Sequence, residues 1–254
     1  MGKQPHLQID AGDVRETALL PGDPGRVDRI AAKCDSVETI AANREYTVRN
    51  ATYGGTELTI ASTGIGSPSA AIAVEELERV GVETLIRVGT AGALQPDIEV
   101  GDMVVATGAA KEEGTSKRYE DVASPAVPDY EVLSALVGAS TANDETVHVG
   151  PIATDDAFYA ETAATVEDWA AAGLLAVEME AAAIFTLARR KGMRAGAICT
   201  VDGNLVAGTQ KGEGTGADRD AGTSAESEEL PPKARNNVER AIDLALEAAV
   251  SVTD

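Results

Sequence analysis

The stretch Thr84-Leu85-Ile86-Arg87-Val88-Gly89-Thr90-Ala91-Gly92 decides the fold. Its first five residues read as a short apolar strand broken by one arginine, and the Gly-Thr-Ala-Gly that follows reads as a loop. Upstream, Glu57 to Ser62 is a β-branched strand. It leads through Gly64-Ile65-Gly66 into a helix over Ser69 to Val80, on which Ile72, Leu77 and Val80 can share one buried face. Further upstream, Thr17 to Leu20 is a strand stopped by Pro21-Gly22-Asp23-Pro24, with a helix starting near Arg26. Downstream, strands are expected at Met103–Ala106, Val147–Ala153, Leu174–Met179 and Ala195–Val201. Helices are expected over Tyr130–Ala139 and Thr162–Ala172, then from Glu180 to about Lys191-Gly192, and finally from Pro231-Pro232 to the end. That last helix carries an apolar stripe of Val238, Ile242, Leu246 and Val250. Alternating strands and helices predict a single α/β domain over residues 1–254, with a central mixed β-sheet flanked by helices. The polar, acid-rich segment 203–230 is long for a connection and reads as a flexible loop or lid.

The bulk properties narrow the function. Acidic residues outnumber basic ones 42 to 21, a formal charge of −21 that repels nucleic acid and anionic membranes. A charge this far beyond the ~2–8 of small soluble domains, with only 3% aromatic residues, fits a protein kept soluble in concentrated salt. No apolar run approaches the ~20 residues of a membrane span, and MGKQPHLQIDAG lacks the features of a secretory signal. A cytoplasmic protein is expected. Cys34 and Cys199 read as buried free thiols, and His6 and His148 have no metal-ligand spacing, so neither a disulfide framework nor a transition metal is expected.

Three arginines stand where packing alone would not choose them. Arg26 follows a Gly-Asp-Pro-Gly turn, Arg44 sits in Asn-Arg-Glu-Tyr, and Arg87 interrupts an apolar strand. A buried guanidinium needs an acidic partner or an anionic ligand. With the glycine-freed amides and the Thr90 hydroxyl beyond it, Arg87 can form a phosphate cradle; a structural salt bridge fits equally well. Glu178-Met179-Glu180 places two carboxylates on alternate positions, so both can face one cavity and accept from vicinal hydroxyls. The competing reading is a helix N-terminus with acids favoured by the dipole.

The runs Ser62-Thr63-Gly64-Ile65-Gly66-Ser67-Pro68-Ser69, Ala73-Val74-Glu75-Glu76-Leu77, Arg87-Val88-Gly89-Thr90-Ala91-Gly92-Ala93 and Val177-Glu178-Met179-Glu180-Ala181 closely resemble the uridine phosphorylase and purine nucleoside phosphorylase family. His6-Leu7 and Pro21-Gly22-Asp23-Pro24 match as well, and the resemblance fades only in the acidic stretch after Asn204. It implies a hexamer built from dimers. It also implies phosphate-dependent cleavage of a nucleoside, with inorganic phosphate as co-substrate and no organic cofactor. By that resemblance Gly22, Arg26, Arg87 and Thr90 bind phosphate, joined by Arg44 of a neighbouring subunit. Glu180, with Glu178 beside it, serves the ribose hydroxyls, Met179 packs on the sugar, and the neighbour's His6 reaches the 5′-hydroxyl. Phe158 and Gly92 border the base, and a monovalent cation such as K+ lies between subunits at Glu45, Ile65 and Ser69. For His6 alone, a solvated tail is the other reading.

One departure bears on the base. Members acting on uridine usually carry a Gln-x-Arg pair after the Phe-Tyr, whereas Phe158-Tyr159 is followed here by Ala-Glu-Thr-Ala-Ala. The strand after it ends Val201-Asp202-Gly203, as in some purine phosphorylases where the acid bonds or protonates N7 of the leaving purine. Asp202 opening a turn at Gly203 is the plain alternative. Purine nucleosides are therefore expected over uridine. A nucleosidase should not need the arginine cluster. A dinucleotide-binding oxidoreductase fails for want of the third glycine and the acid after the next strand. A non-catalytic nucleoside-binding module would keep the glutamates and Phe158.

Overall fold

The computed structural model describes residues 2–208 and 232–253. Among them the chain forms one mixed sheet with helices on both faces. The strands are β1 Thr17–Pro21, β2 Ser36–Asn43, β3 Tyr46–Tyr53, β4 Thr56–Ala61, β5 Thr84–Ala93, β6 Met103–Lys111, β7 Val147–Thr154, β8 Ala176–Glu178 and β9 Arg194–Asn204. The helices are α1 Pro24–Ala31, α2 Ser67–Arg79, α3 Ser116–Tyr119, α4 Tyr130–Ala142, α5 Ala163–Ala171, α6 Ala181–Lys191 and α7 Pro232–Thr253, with a short 3-10 turn at Phe158–Ala160.

The strand order is β2-β3-β4-β1-β5-β8-β7-β6-β9, and β9 also pairs with β5, so the last five strands close on themselves while β2, β3, β4 and β1 extend from β5 as an open wing. β5 is thus the seam. It runs parallel to β1 and to β9 and antiparallel to β8, so its C-terminal half has neighbours on more than one side. The alternation of side chains along strands sorts the core into two layers. Leu20, Leu85, Val74, Leu77, Phe185 and Leu187 pack together on the side of α2 and α6. Leu19, Ile86, Ile60, Val27, Leu136 and Ile242 pack on the side of α1, α4 and α7. Val238, Ile242 and Leu246 of the expected α7 stripe are buried, while Val250 is half-buried.

The structure corrects several expectations. Gly89 to Ala93 is not a loop: β5 continues through it, paired with Cys199 to Asn204 of β9. The apolar pattern ends at Val88, but ladder hydrogen bonds to β9 hold the glycines in register. The β2–β3 hairpin had no signal in the sequence, because β2 is exposed along most of its length and shows no apolar alternation. Leu174–Met179 shortens to the three residues of β8. Of the two cysteines, Cys199 is buried and Cys34 only half so. Gly203 and Asn204 belong to β9 and not to a lid, and from residue 209 to 230 the expected lid lies outside the described residues.

Candidate active site

The site assembles at the C-terminal end of β1 and along the middle of β5 beside it, where Leu20 pairs with Arg87 and Pro21 with Val88. Leu85 and Arg87 point to the same face of β5 by strand alternation, which carries the guanidinium to the α6 side. There Arg87 Nε lies 2.8 Å from Glu178 Oε2, and Nη2 lies 2.5 Å from Glu180 Oε2, all three side chains being buried. The two readings of Glu178-Met179-Glu180 therefore both hold in part. The glutamates do converge, but on Arg87. Glu178 also caps α6, accepting from the Glu180 and Ala181 amides at 2.8 and 2.9 Å and from Thr154 Oγ1 at 2.5 Å. Its oxygens are taken up by the protein, which sets it apart from Glu180.

Glu180 Oε1 accepts from the Gly66 amide at 2.5 Å, tying the α2 entry to the α6 entry. Ser67 Oγ donates to the Met179 carbonyl across the same junction. Burial works against the charged form of Arg87, but Glu180 and Glu178 outweigh it and hold its pKa above the ordinary arginine value. Burial also raises Glu180, with Arg87 opposing. One guanidinium shared by two carboxylates keeps the arginine charged. Arg87 Nη1 remains buried with no hydrogen-bond partner among the described residues, a donor free to meet an anionic ligand.

Arg26 is buried as well, and its Nη1 donates to the Val88 carbonyl at 2.9 Å. Asp23 caps α1 and accepts from the Arg26 amide, so the Pro21-Gly22-Asp23-Pro24 turn delivers Arg26 next to β5. Gly22 faces the Gly64 carbonyl, 3.4 Å from where a Cβ would stand. Thr90 is half-exposed further along β5. Gly22, Arg26, Arg87 and Thr90 are thus brought together. Arg44 is not: it is exposed at the β2–β3 turn with φ of 56°, and its side chain makes no ion pair or hydrogen bond among the described residues.

Asp202 lies on β9 and opens no turn. The register passes from Ala91↔Val201 to Gly92↔Gly203, so Asp202 is the extra residue of a β-bulge, and it is buried. A bulge re-aims a side chain out of strand alternation, here at the closed end of the β5–β9 pair. Gly92 opposite it is closely covered, since a Cβ there would come 2.2 Å from Leu205 Cδ1. Phe158 is half-buried and meets exposed Tyr159 edge-on at 5.0 Å. Met179 is half-buried.

His6 is no solvated tail. Its Nδ1 lies 2.6 Å from Glu76 Oε1, its amide and that of Leu7 donate to the same buried carboxylate, and Leu7 is fully buried. Within one chain His6 is held by Glu76 of α2 and makes no hydrogen bond or ion pair with the Arg87 cluster among the described residues. Glu45 and Ser69 meet near Gly64: Ser69 Oγ donates to the Thr63 carbonyl at 2.5 Å and lies 3.1 Å from Glu45 Oε1, while Ile65 is 80% exposed. The described residues contain no cluster of three His, Cys, Asp or Glu able to hold a metal. Sequence reasoning missed Thr154, which steadies Glu178, and the holding of His6 by Glu76; a threonine ending a strand and a glutamate on a helix carry no signal of their own. No helix among the described residues is long and apolar enough to cross a membrane.

The family model of the Phosphorylase superfamily matches residues 16–250. A guanosine phosphorylase of Halorubrum lacusprofundi is 67% identical over 252 residues, covering 99% of this chain and all of that one. A uridine phosphorylase of Thermococcus kodakarensis is 43% identical over 218 residues, 81% of this chain and 79% of its own. Among solved structures, a uridine phosphorylase of Vibrio fischeri superposes with a TM-score of 0.83 at 36% identity, covering 98% of both chains.

Proposed function

We propose, from the premise that this chain belongs to the Phosphorylase superfamily, that it cleaves purine nucleosides, guanosine foremost, with inorganic phosphate. The observation that carries this reading is the buried Arg87, held charged by Glu178 and Glu180, with Nη1 unpartnered among the described residues in the middle of β5 beside Arg26. Inorganic phosphate, cradled by Gly22, Arg26, Arg87 and Thr90, supplies an oxygen that attacks C1′ while the glycosidic bond to N9 breaks. The products are ribose 1-phosphate and free base. Positioned donors stabilise charge without reorganising during the reaction, which is where such sites gain most.

Glu180 takes the ribose 2′- and 3′-hydroxyls, and Met179 packs against the sugar. Glu178, saturated by protein donors, acts by fixing Arg87 and the start of α6 and not by touching ribose. Asp202 serves N7 of the leaving purine, flanked by Phe158 and Gly92. Two supports favour the purine over the uridine reading: the guanosine phosphorylase is similar over the full chain, and Phe158-Tyr159 lacks the Gln-x-Arg pair after it.

Arg44 and His6, neither of them bonded to the Arg87 cluster among the described residues, complete the site of a neighbour in a hexamer of dimers, with K+ at Glu45, Ile65 and Ser69. Full activity from a species sedimenting as a monomer would contradict that arrangement. The enzyme works in the cytoplasm in concentrated salt, consistent with its charge of −21. Phosphorolysis of guanosine, inosine, adenosine and uridine, compared in molar salt, tests the whole reading; uridine as the sole substrate would overturn the purine assignment.

A further inference from the structure

Beside Leu205, the side chain that covers Gly92, the structure holds a cavity of ≈ 450 Å³ lined by Glu161, Thr162, Val166, Glu167, Ala170 and Leu205. That is within the range of about 300–1,000 Å³ usual for small-molecule pockets. Its floor is apolar, continuous with the cluster of Leu94, Val166, Trp169 and Val177 that Leu205 packs on. Its polar side chains are the Glu161 and Glu167 carboxylates and the Thr162 hydroxyl, and no Lys, Arg or His lines it among the described residues. Phe158 and Tyr159 lead directly into Glu161, while Leu205 follows Asp202 by three residues. The cavity thus borders the segments to which the base is assigned above.

We propose that Glu161 reads the edge of the base, accepting from N1–H and the 2-amino group of guanine together, and thereby sets guanosine above adenosine. The inference rests on the phosphorolytic reading of the same site. Glu161 is half-buried, and its carboxylate makes no salt bridge or hydrogen bond among the described residues. Glu167, by contrast, is exposed on α5. Burial, helped by the Asp155 carboxylate, pushes Glu161 up to about 7, the behaviour of a carboxylate with no compensating cation among the described residues.

Base chemistry supplies the compensation selectively. Guanine offers two parallel N–H donors at the spacing of a carboxylate's two oxygens, a bidentate match of the kind arginine makes from the other side. Hypoxanthine offers one of them. Adenine turns an acceptor nitrogen toward the same oxygens, so its binding leaves Glu161 unpaired and repelled. Uracil flanks its single N–H with two carbonyls.

The test is the kcat/KM of wild type and Glu161→Gln on guanosine, inosine and adenosine, at saturating phosphate in molar salt. The variant should lose about tenfold or more on guanosine, the scale of a charge-assisted hydrogen bond, lose less on inosine, and hold or gain on adenosine. Glu161→Asp keeps the charge but withdraws it by one methylene, and should show the same order of losses if Glu161→Gln fails to fold. Calorimetric binding of free guanine and free adenine to both proteins should repeat the ranking without turnover. Equal factors on all three nucleosides, or a wild type that prefers adenosine, would overturn the inference. A wild type that phosphorolyses guanosine and is indifferent to Glu161→Gln overturns it alone. A wild type that releases no base from any purine nucleoside overturns the purine reading and the inference with it.

Discussion

Arg87 Nη2 and Glu180 Oε2 stand 2.5 Å apart in a fully buried pair, so the group assigned to phosphate and the group assigned to ribose are one electrostatic unit. Cutting either partner out of a buried pair leaves a lone charge, which is far costlier than losing a surface bridge.

Arg87→Ala should therefore fail twice. It removes the phosphate donor, and it leaves Glu178 and Glu180 buried without their cation, a destabilisation of about 3–5 kcal/mol for a broken buried pair. Arg87→Lys separates the two effects. It keeps a charge near both glutamates but loses the planar fork, so it should fold better than the alanine variant while its KM for phosphate rises steeply. Denaturation midpoints and phosphate titrations read the two outcomes; a lysine variant with unchanged KM for phosphate would refute the role.

Asp202→Asn addresses the leaving group. The bulge places Asp202 out of strand alternation, and the amide keeps its shape. Phosphorolysis of guanosine or inosine should slow by about a hundredfold or more, the scale of lost acid catalysis. Uridine has no N7, so any turnover of it should change much less. Equal losses on both would show that Asp202 holds the bulge and not the base.

How far the sequence alone reaches can be judged at these same residues. Strands with apolar runs and helices with caps were legible, from the Asp23 turn before α1 to the Gly192 stop after α6, because burial and capping leave marks in composition. The exposed β2 left none, and the glycines of Gly89 to Ala93 concealed a strand whose register depends on β9, more than a hundred residues away. Arg87 and Glu180 were legible as anomalies, a charge within an apolar strand and an acid at a strand end. That they meet was not legible, nor that Asp202 is bulged. The meeting of Arg87 with the glutamates and the Asp202 bulge follow from pairing between distant segments, whereas the Glu178 cap is local and was legible as the helix N-terminus reading.

Gly92→Ala tests the covered edge of the base region. A Cβ there would stand 2.2 Å from Leu205 Cδ1, so Leu205 must move. We expect a higher KM for nucleoside with little change in KM for phosphate, and partial recovery in the double variant Gly92→Ala/Leu205→Ala, since neighbouring sites couple. Equal effects of the two single changes that simply add would contradict direct packing.

Glu161 also gives stability a pH dependence. Its carboxyl is raised from the ordinary 4.5 to about 7 in the folded chain, by burial and then by Asp155. The folded state therefore holds its proton more tightly than the unfolded chain does. That contribution is fully present below about pH 4.5 and is lost as pH rises through about 7. Relative to wild type, Glu161→Gln should gain stability between pH 5 and pH 8, measured as denaturant midpoints in molar salt; a difference that does not vary with pH would exclude the raised carboxyl.

The most direct measurement of the central claim is the release of guanine from guanosine in molar salt, with and without inorganic phosphate, with the sugar product identified. The account predicts that guanine appears only with phosphate and that ribose 1-phosphate forms in equal amount. Guanine released at the same rate in phosphate-free buffer, with free ribose as the other product, would contradict it.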